Sequence, residues 1–289
     1  MNIEYFSRNK RLLADGDGKR EFVIDNIVNL NWWHIRYGQD NQNLGDMLSE
    51  VVYEYMCKYY GIKPSATVAK TKHLYAIGSI LFFENQDAVV WGTGCMHDLE
   101  KNLYNVMHQK YMRKLDVRAV RGPYTRKVLM KLGIKCPKIY GDPAMLMPLI
   151  YQSHKQIDNK VLVITHLKDK NIEAEKLSSN IVYTDMITND WKSKVDLITS
   201  SKLIISSSLH GIVLAESYGV PAILLKPNME GDLFKYKDYY LGTGRKQEDI
   251  PMADTIQEAL EYNVNNIKVP DVAGIQKNLI ESFPIDIWK

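Results

Sequence analysis

The chain has 289 residues, 45% of them hydrophobic, which is long enough for two α/β domains with large cores. Its formal charge is +3, from 37 Lys and Arg against 34 Asp and Glu, and this balance excludes the strongly basic field of a nucleic-acid-binding protein. The three cysteines, Cys57, Cys95 and Cys136, are too few and too widely spaced for a disulfide framework or a zinc site, which favours a reducing cytoplasm. No segment is apolar over the length of a transmembrane helix, so we expect at most peripheral membrane contact.

The first half of the chain alternates predicted strands with predicted helices. Strand-like apolar runs occupy residues 27–34, 74–77, 88–91 and 116–121, and helical spacing of apolar residues marks 47–56 and 124–132. This alternation predicts a parallel sheet with helices on both faces, whose ligands bind at the carboxyl ends of the strands. The turn at residues 15–18 resembles the start of a calcium loop but lacks the later ligand positions, so we predict no metal site.

Several polar or glycine positions of this half follow predicted strands. Asn43 and Asp46 lie where a turn enters the first helix, and they either cap that helix or line a cleft. Gly94 ends a glycine-containing turn after the third strand, without completing a dinucleotide or nucleotide motif. Arg121 lies at a strand-to-helix junction, where a guanidinium can bind a carboxylate or a phosphate through two parallel hydrogen bonds. Arg118 is predicted to point to the opposite face, for packing or an ion pair.

The second half contains the stretch that best predicts a binding site. Strands are predicted at residues 160–166, 180–183, 203–205 and 220–225, with helices at 191–199 and 209–218. Ser207 and Ser208 precede a helix that starts at Leu209, and a helix N-terminus after a strand is an anion site. His210 lies in this turn and Lys226 ends the next strand, which indicates a bound anion; a capping turn with a structural histidine is the alternative. His166 ends the first strand of this half.

The order of the elements predicts three regions. Residues 1–152 form an N-terminal Rossmann-like domain, and residues 153–268 form a C-terminal one after a stretch of linker composition. Residues 269–289 form a helical tail.

Four groups of residues in this order resemble the polysaccharide pyruvyl transferase family. They are Asn43-Leu44-Gly45-Asp46, Trp91-Gly92-Thr93-Gly94, Val120-Arg121-Gly122-Pro123-Tyr124-Thr125 with Gly141-Asp142-Pro143-Ala144, and Ser207-Ser208-Leu209-His210-Gly211 with residues 215–221. The resemblance implies two Rossmann-like domains with parallel sheets facing across a cleft, as in GT-B glycosyltransferases. It also implies transfer of pyruvate from phosphoenolpyruvate to a sugar as a ketal, with Arg121, His210 and Lys226 handling the donor. His166 falls where many members have a Pro-His pair.

These expectations define a hypothesis for the chemistry. Arg121 would bind the carboxylate or phosphate of the donor, and Lys226 with the turn of Ser207, Ser208 and Leu209 would bind the phosphate. His210 would either transfer a proton or act as a cationic phosphate ligand, and the sequence leaves both open. Asn43, Asp46, Gly94 and His166 would line the cleft, on the side of the acceptor.

The resemblance also sets expectations for partners. The acceptor would be a sugar of a cell-surface polysaccharide or a lipid-linked oligosaccharide precursor, read by residues 32–42 and 234–240. We expect no cofactor besides the donor substrate and no nucleic acid as a partner. We expect a cytoplasmic location that allows peripheral contact with the inner face of the membrane, and the sequence leaves a homo-oligomer open. The alternatives are a GT-B glycosyltransferase that uses a nucleotide sugar and a non-catalytic glycan-binding protein of an assembly complex. The pair Trp32 and Trp33 would either stack on a sugar or pack in the core.

Overall fold

The structure is a computed structural model, and it describes most of the chain. The described residues are 28–33, 41–63, 72–82, 87–98, 114–153, 157–166, 179–227 and 233–288. The turn at residues 15–18 and residues 34–40 of the predicted acceptor segment lie outside them.

The described elements alternate between strands and helices, as the sequence predicts. The strands are β1 (Val28–Asn31), β2 (Gln42–Asn43), β3 (Lys72–Tyr75), β4 (Ala88–Trp91), β5 (Leu115–Ala119), β6 (Asp158–Thr165), β7 (Ile181–Asp185), β8 (Ile187–Thr188), β9 (Ser201–Ser206), β10 (Ala222–Leu225) and β11 (Met252–Ala253). The α-helices are α1 (Leu44–Tyr59), α2 (Pro123–Lys131), α3 (Met147–Ile150), α4 (Trp191–Thr199), α5 (Leu209–Ser217), α6 (Phe234–Gly242), α7 (Ile256–Leu260) and α8 (Ala273–Glu281).

Two parallel sheets organise these elements. The N-terminal sheet has the order β1-β3-β4-β5, and the C-terminal sheet has the order β11-β10-β9-β6-β7. Every described pairing within both sheets is parallel. The carboxyl ends of the strands of each sheet therefore lie along one edge, where parallel sheets bind their ligands. The predicted α/β class with parallel sheets is confirmed, whereas the boundaries at residues 152 and 268 stay predictions.

Helix α1 shows how the sequence builds the N-terminal half. Leu44, Leu48, Val52 and Met56 recur every four residues and are fully buried, so one face of the helix packs into the core. Burying side chains of this size contributes roughly 1.5–3 kcal/mol each. The Asn43 side chain accepts a hydrogen bond from the Gly45 N–H, which fixes the start of the helix. The helix begins three residues before the predicted position because this cap lies upstream of the first apolar repeat.

A short antiparallel pair joins the two halves. Strand β2, directly before α1, pairs with β8, which follows the carboxyl end of β7. In the same joint, the Leu44 N–H donates a hydrogen bond of 2.7 Å to the Met186 carbonyl. The N-terminus of α1 is therefore held against the strand ends of the C-terminal sheet.

The C-terminal tail returns to the N-terminal half. Trp91 Nε1 donates to the Leu279 carbonyl at 2.9 Å, and Tyr60 donates through its hydroxyl to the Ile280 carbonyl at 2.8 Å. Arg118 bonds to Asp116 and to Asp286, so the predicted ion pair of Arg118 is confirmed. The tail closes the core of the first half with side chains that lie last in the chain.

Candidate active site

The turn before α5 follows the central strand of the C-terminal sheet. The Ser206 hydroxyl accepts a hydrogen bond of 3.0 Å from the Ser208 N–H, and Ser207 Oγ accepts one of 2.9 Å from the His166 N–H. Ser208 is the N-cap residue of α5, but its side chain makes no capping hydrogen bond. Leu209, predicted to bind the donor, is a buried apolar residue at the first position of the helix. The serines therefore bind turn and strand backbone instead of capping the helix with side chains.

His210 lies in the first turn of α5 and is 9% exposed. Its Nε2 atom faces Asp142 Oδ2 at 3.5 Å, and neither atom has a hydrogen bond partner in the described structure. A Cβ on Gly45 would overlap the ring at Nδ1, so the imidazole packs directly on the backbone of α1. The ring is thus held between the Asp142 carboxylate and the backbone of Gly45.

Asp142 supplies the carboxylate opposite His210. It is fully buried and precedes the 3₁₀ helix Pro143–Leu146, whose Ala144 N–H donates to Asp142 Oδ1 at 3.0 Å. One oxygen therefore caps the helix while the other is left for His210. A buried polar atom without a hydrogen bond costs about 1–3 kcal/mol of folding free energy. A ligand that forms hydrogen bonds with Asp142 Oδ2 or His210 Nε2 would remove part of this cost.

Asp46 lies in the first turn of α1, in the same cluster, and keeps partial exposure. Burial raises the pKa of the Asp46 carboxyl to about 6; the charges of His210 and Lys235 act in the opposite direction, and Asp142 adds to the rise. Its Oδ1 lies 3.1 Å from where a Cβ of Gly78 would be, at the turn that follows β3. Asp46 therefore connects the strand ends of the N-terminal sheet to the N-termini of α5 and α6.

Arg121 is fully buried between the halves. Its guanidinium donates to Asp238 Oδ2 at 3.2 Å, to Ser79 Oγ at 2.7 Å and to the Cys95 carbonyl at 2.5 Å. A Cβ on Gly94 would lie 2.6 Å from Arg121 Cζ, so Gly94 makes room for the guanidinium. The side chain is a satisfied internal charge, and its predicted contact with the donor stays a prediction.

Asp238 was missed by the sequence analysis and is the main partner of Arg121. It comes from α6 and accepts hydrogen bonds from the backbone of Tyr124 and Thr125 and from the Thr125 hydroxyl. It thus caps α2 from 113 and 114 residues further along the chain, and no local pattern reveals such a cap. A second missed pair is Glu216 with Arg245, joined at 2.6 Å through two parallel hydrogen bonds at the other end of α5.

The remaining predicted site residues lie at the strand ends of the C-terminal sheet. Lys226 follows β10 and forms an ion pair with Asp254 at 2.7 Å, with both side chains substantially exposed. His166 follows β6 and contacts the serine turn through its backbone. Asn43 caps α1.

The predicted site residues thus fall into three places in the structure. Asp46 and His210 lie in one cluster, and Arg121 is connected to it through the turn of Gly78 and Ser79. Lys226 is paired with Asp254 instead.

Among the described residues of the segments predicted to read the acceptor, Trp32 and the aromatic residues of α6 are buried. Trp32 is 4% exposed and donates to Glu50 Oε1 at 3.1 Å, so of the two alternatives predicted for it, packing in the core is confirmed. Trp33 is 51% exposed, and its contact with a sugar stays a prediction. In α6, the aromatic residues are buried, and Tyr236 donates through its hydroxyl to the Ser207 carbonyl at 2.7 Å.

In the described parts of the chain, no group of three or more His, Cys, Asp and Glu side chains is arranged to hold a metal ion. None of the described helices combines the length and the apolar character that crossing a bilayer requires. The absence of a metal from the reaction stays a prediction.

The fold and this cluster define a class: an α/β protein of two parallel sheets, with a His–Asp site at the N-termini of the helices that follow the strands. The chain belongs to the polysaccharide pyruvyl transferase family, because the sequence model of that family matches residues 41–228. The family consists of transferases, so the protein is an enzyme, and pyruvyl transfer to polysaccharide is its general activity.

Two individual proteins are also similar to this chain. An uncharacterized protein, L143, of Acanthamoeba polyphaga mimivirus is 24% identical over 253 residues, which cover 83% of each chain. A solved structure of the wall teichoic acid polymerase TagF superposes with a TM-score of 0.46 and 14% identity, over 99% of this chain and 89% of that one.

Proposed function

We propose that the protein transfers the pyruvyl group of phosphoenolpyruvate to a sugar of a cell-surface polysaccharide, or of its lipid-linked precursor, and forms a pyruvate ketal. The observation that carries the proposal is the cluster in which His210 meets Asp142 and Asp46 where the two halves join. The cluster combines a cationic or hydrogen-donating ring, an ion-pair partner for that ring and a carboxyl that titrates near neutrality.

The electrostatics of the cluster suit a small anionic donor. Helices α1 and α5 both begin there, and the unpaired N–H groups of a helix N-terminus carry partial positive charge. Lys235, at the start of α6, is close enough to lower the pKa of Asp46, so an ammonium faces the same space. These groups together offset the charges of a carboxylate and a phosphate.

The reaction needs one proton transfer and two attacks by hydroxyl groups. A proton is added to the methylene carbon of phosphoenolpyruvate, and the oxygen of one sugar hydroxyl forms a bond to C2. A second hydroxyl of the sugar then bonds to C2 as the C–O bond to phosphate breaks. The hydrogen of the first hydroxyl ends in the new methyl group, the hydrogen of the second leaves with inorganic phosphate, and no oxidant is consumed.

In the proposed reaction, Arg121 is separated from the cluster of His210 by the turn of Gly78 and Ser79. A direct contact with the donor would require Ser79 to exchange its hydrogen bond of 2.7 Å with the guanidinium for one to the ligand. The family resemblance supports this contact.

The experiment combines phosphoenolpyruvate with a panel of sugar and lipid-linked acceptors. Acceptor-dependent release of phosphate, together with a product whose mass has increased by one pyruvyl ketal, supports the proposal. Thermal unfolding with phosphoenolpyruvate and with nucleotide sugars runs in parallel, since a ligand at a hundredfold excess over its Kd stabilises by about 2.7 kcal/mol. Stabilisation by a nucleotide sugar alone, with transfer of its sugar, would contradict the proposal.

A further inference from the structure

We infer that Asp46 is the group that donates the proton to the methylene carbon of phosphoenolpyruvate, while His210 holds the donor without transferring that proton. The inference rests on the proposed function and assigns one of its chemical steps to a side chain.

His210 is held by protein groups in the observed arrangement. A proton donor must present its proton within hydrogen-bond reach of the reacting atom. His210 Nε2 faces Asp142 at 3.5 Å, and the ring packs against the backbone of Gly45, where even a Cβ would not fit. Nε2 therefore faces a protein carboxylate, which gives the ring a positioning role in the proposal.

The Asp46 carboxyl has more freedom. Its carboxyl makes no hydrogen bond with the described residues, and the residue keeps partial exposure, in contrast to the enclosed Asp142. Asp46 lies beside the turn after β3, and the groups whose charges act on it are His210, Lys235 and Asp142. These come from α5, α6 and the start of the 3₁₀ helix, so the carboxyl lies where the elements of both halves meet.

The protonation state of Asp46 also fits this role. Because burial raises the pKa of Asp46 to about 6, a fraction of the molecules carries a neutral carboxyl near neutral pH. A bound phosphoenolpyruvate brings further negative charge, which raises the pKa again by repulsion of like charges. Binding of the donor thus protonates the group that must deliver a proton to it, and Lys235 limits the rise.

The proton balance closes within one turnover. Asp46 gives its proton to the methylene carbon, and its carboxylate then accepts the hydrogen of the first sugar hydroxyl as that oxygen bonds to C2. The carboxyl is regenerated, and the hydrogen of the second hydroxyl leaves with phosphate.

The decisive experiment compares Asp46→Asn with the wild type in the phosphoenolpyruvate assay. We expect kcat to fall by about 10²–10⁴-fold with little change in the KM for phosphoenolpyruvate, because the amide keeps the shape and loses the proton. The wild-type kcat/KM should fall as pH rises above about 6, and this limb of the pH profile should be absent in Asp46→Asn. The His210→Gln variant should have a higher KM for phosphoenolpyruvate and still show the limb.

Stability provides the test that the variant is folded. The folded-state pKa of Asp46 lies above its unfolded value, so the wild type loses stability as pH rises through about 6. Asp46→Asn should therefore have a higher melting temperature than the wild type at about pH 8, and the gain should vanish at about pH 4. Asp116→Asn is the matched control: Asp116 is exposed and Arg118 retains Asp286, so activity should stay within about twofold.

The outcomes separate the two proposals. A wild type that consumes no phosphoenolpyruvate with any acceptor overturns the proposed function. An active wild type in which Asp46→Asn keeps its kcat, or raises only the KM, overturns the role of Asp46. Loss of the pH limb in His210→Gln, with the limb intact in Asp46→Asn, assigns the proton to the imidazole instead.

Discussion

Arg121 and His210 follow the strand ends of the two sheets, yet their environments differ. The Arg121 guanidinium has three protein partners, including the buried carboxylate of Asp238. His210 Nε2 has one, Asp142, at 3.5 Å and without a hydrogen bond. Buried polar groups are normally satisfied, and the exceptions concentrate at functional sites. The comparison indicates that Arg121 joins the halves of the fold, whereas the cluster of His210 is prepared for a ligand.

The largest expected effect is the loss of stability in Arg121→Ala, which tests whether Arg121 joins the two halves. Arg121→Ala leaves the Asp238 carboxylate buried without its cation, which costs about 3–5 kcal/mol of unfolding free energy. Urea unfolding measures this loss. Arg118→Ala serves as the control, with a change below about 1 kcal/mol, because Arg118 is partly exposed and its carboxylate partners are exposed. The family resemblance also predicts that Arg121→Ala abolishes saturable use of phosphoenolpyruvate.

The kinetics and the stability of Arg121→Ala together separate a structural role of Arg121 from a role in donor binding. If Arg121→Ala stays folded with unaltered phosphoenolpyruvate kinetics, the predicted role of Arg121 in donor binding is refuted. If its stability is also unaltered, Arg121 does not join the halves either.

An intermediate effect is expected at the His210 cluster. Gly45→Ala places a methyl group in the space of the imidazole, so His210 must leave its position. Overpacking of this kind costs about 1–3 kcal/mol, and activity should fall more steeply than stability because the ring is displaced. Phosphate release and thermal unfolding are the two measurements.

The matched control for this change is Gly274→Ala. Gly274 lies in α8, where an added Cβ meets no atom within 4 Å, so alanine should stabilise the helix by up to about 1 kcal/mol without affecting activity. Equal activity losses in both variants would contradict a specific role of Gly45 beside His210.

The smallest effect is expected at Lys226. Its ion pair with Asp254 is exposed, so Lys226→Ala should change the free energy of unfolding by less than about 1 kcal/mol. Steady-state kinetics then decide its functional role: a raised KM for phosphoenolpyruvate supports the donor contact that the family resemblance implies. A KM equal to that of the wild type removes Lys226 from the donor site.

The sequence predicted the secondary structure well where a local cause is present. Helix α2 begins at Pro123 and ends before Gly133, as proline near the start and glycine after the end indicate. Strand β4 was predicted with the observed bounds, Ala88–Trp91. Boundaries shifted where a cap or a pairing partner decided them, as at α1, where the cap at Asn43 moves the start to Leu44.

The site was predicted in part for the same reason. His210 and Asp46 were singled out because each lies near a helix start after a strand, which is a local feature of the sequence. Asp142 appeared in the family motif without a role, because its second oxygen becomes important only through contact with α5. For Trp32 the sequence left sugar stacking and core packing open, because its partner Glu50 lies on a helix whose position the sequence does not give.

The sequence by itself determined the alternation of strands and helices, the parallel sheets and the resemblance to the family. These depend on periodicity, caps and short motifs, all of which act over a few residues. Only the tertiary structure decided that Asp238 pairs with Arg121, that His210 rests on Gly45, and that Asp46 lies near His210 and Asp142. The physical reason is that burial and charge pairing arise between groups distant in the chain, so their effects exist only once the two halves meet.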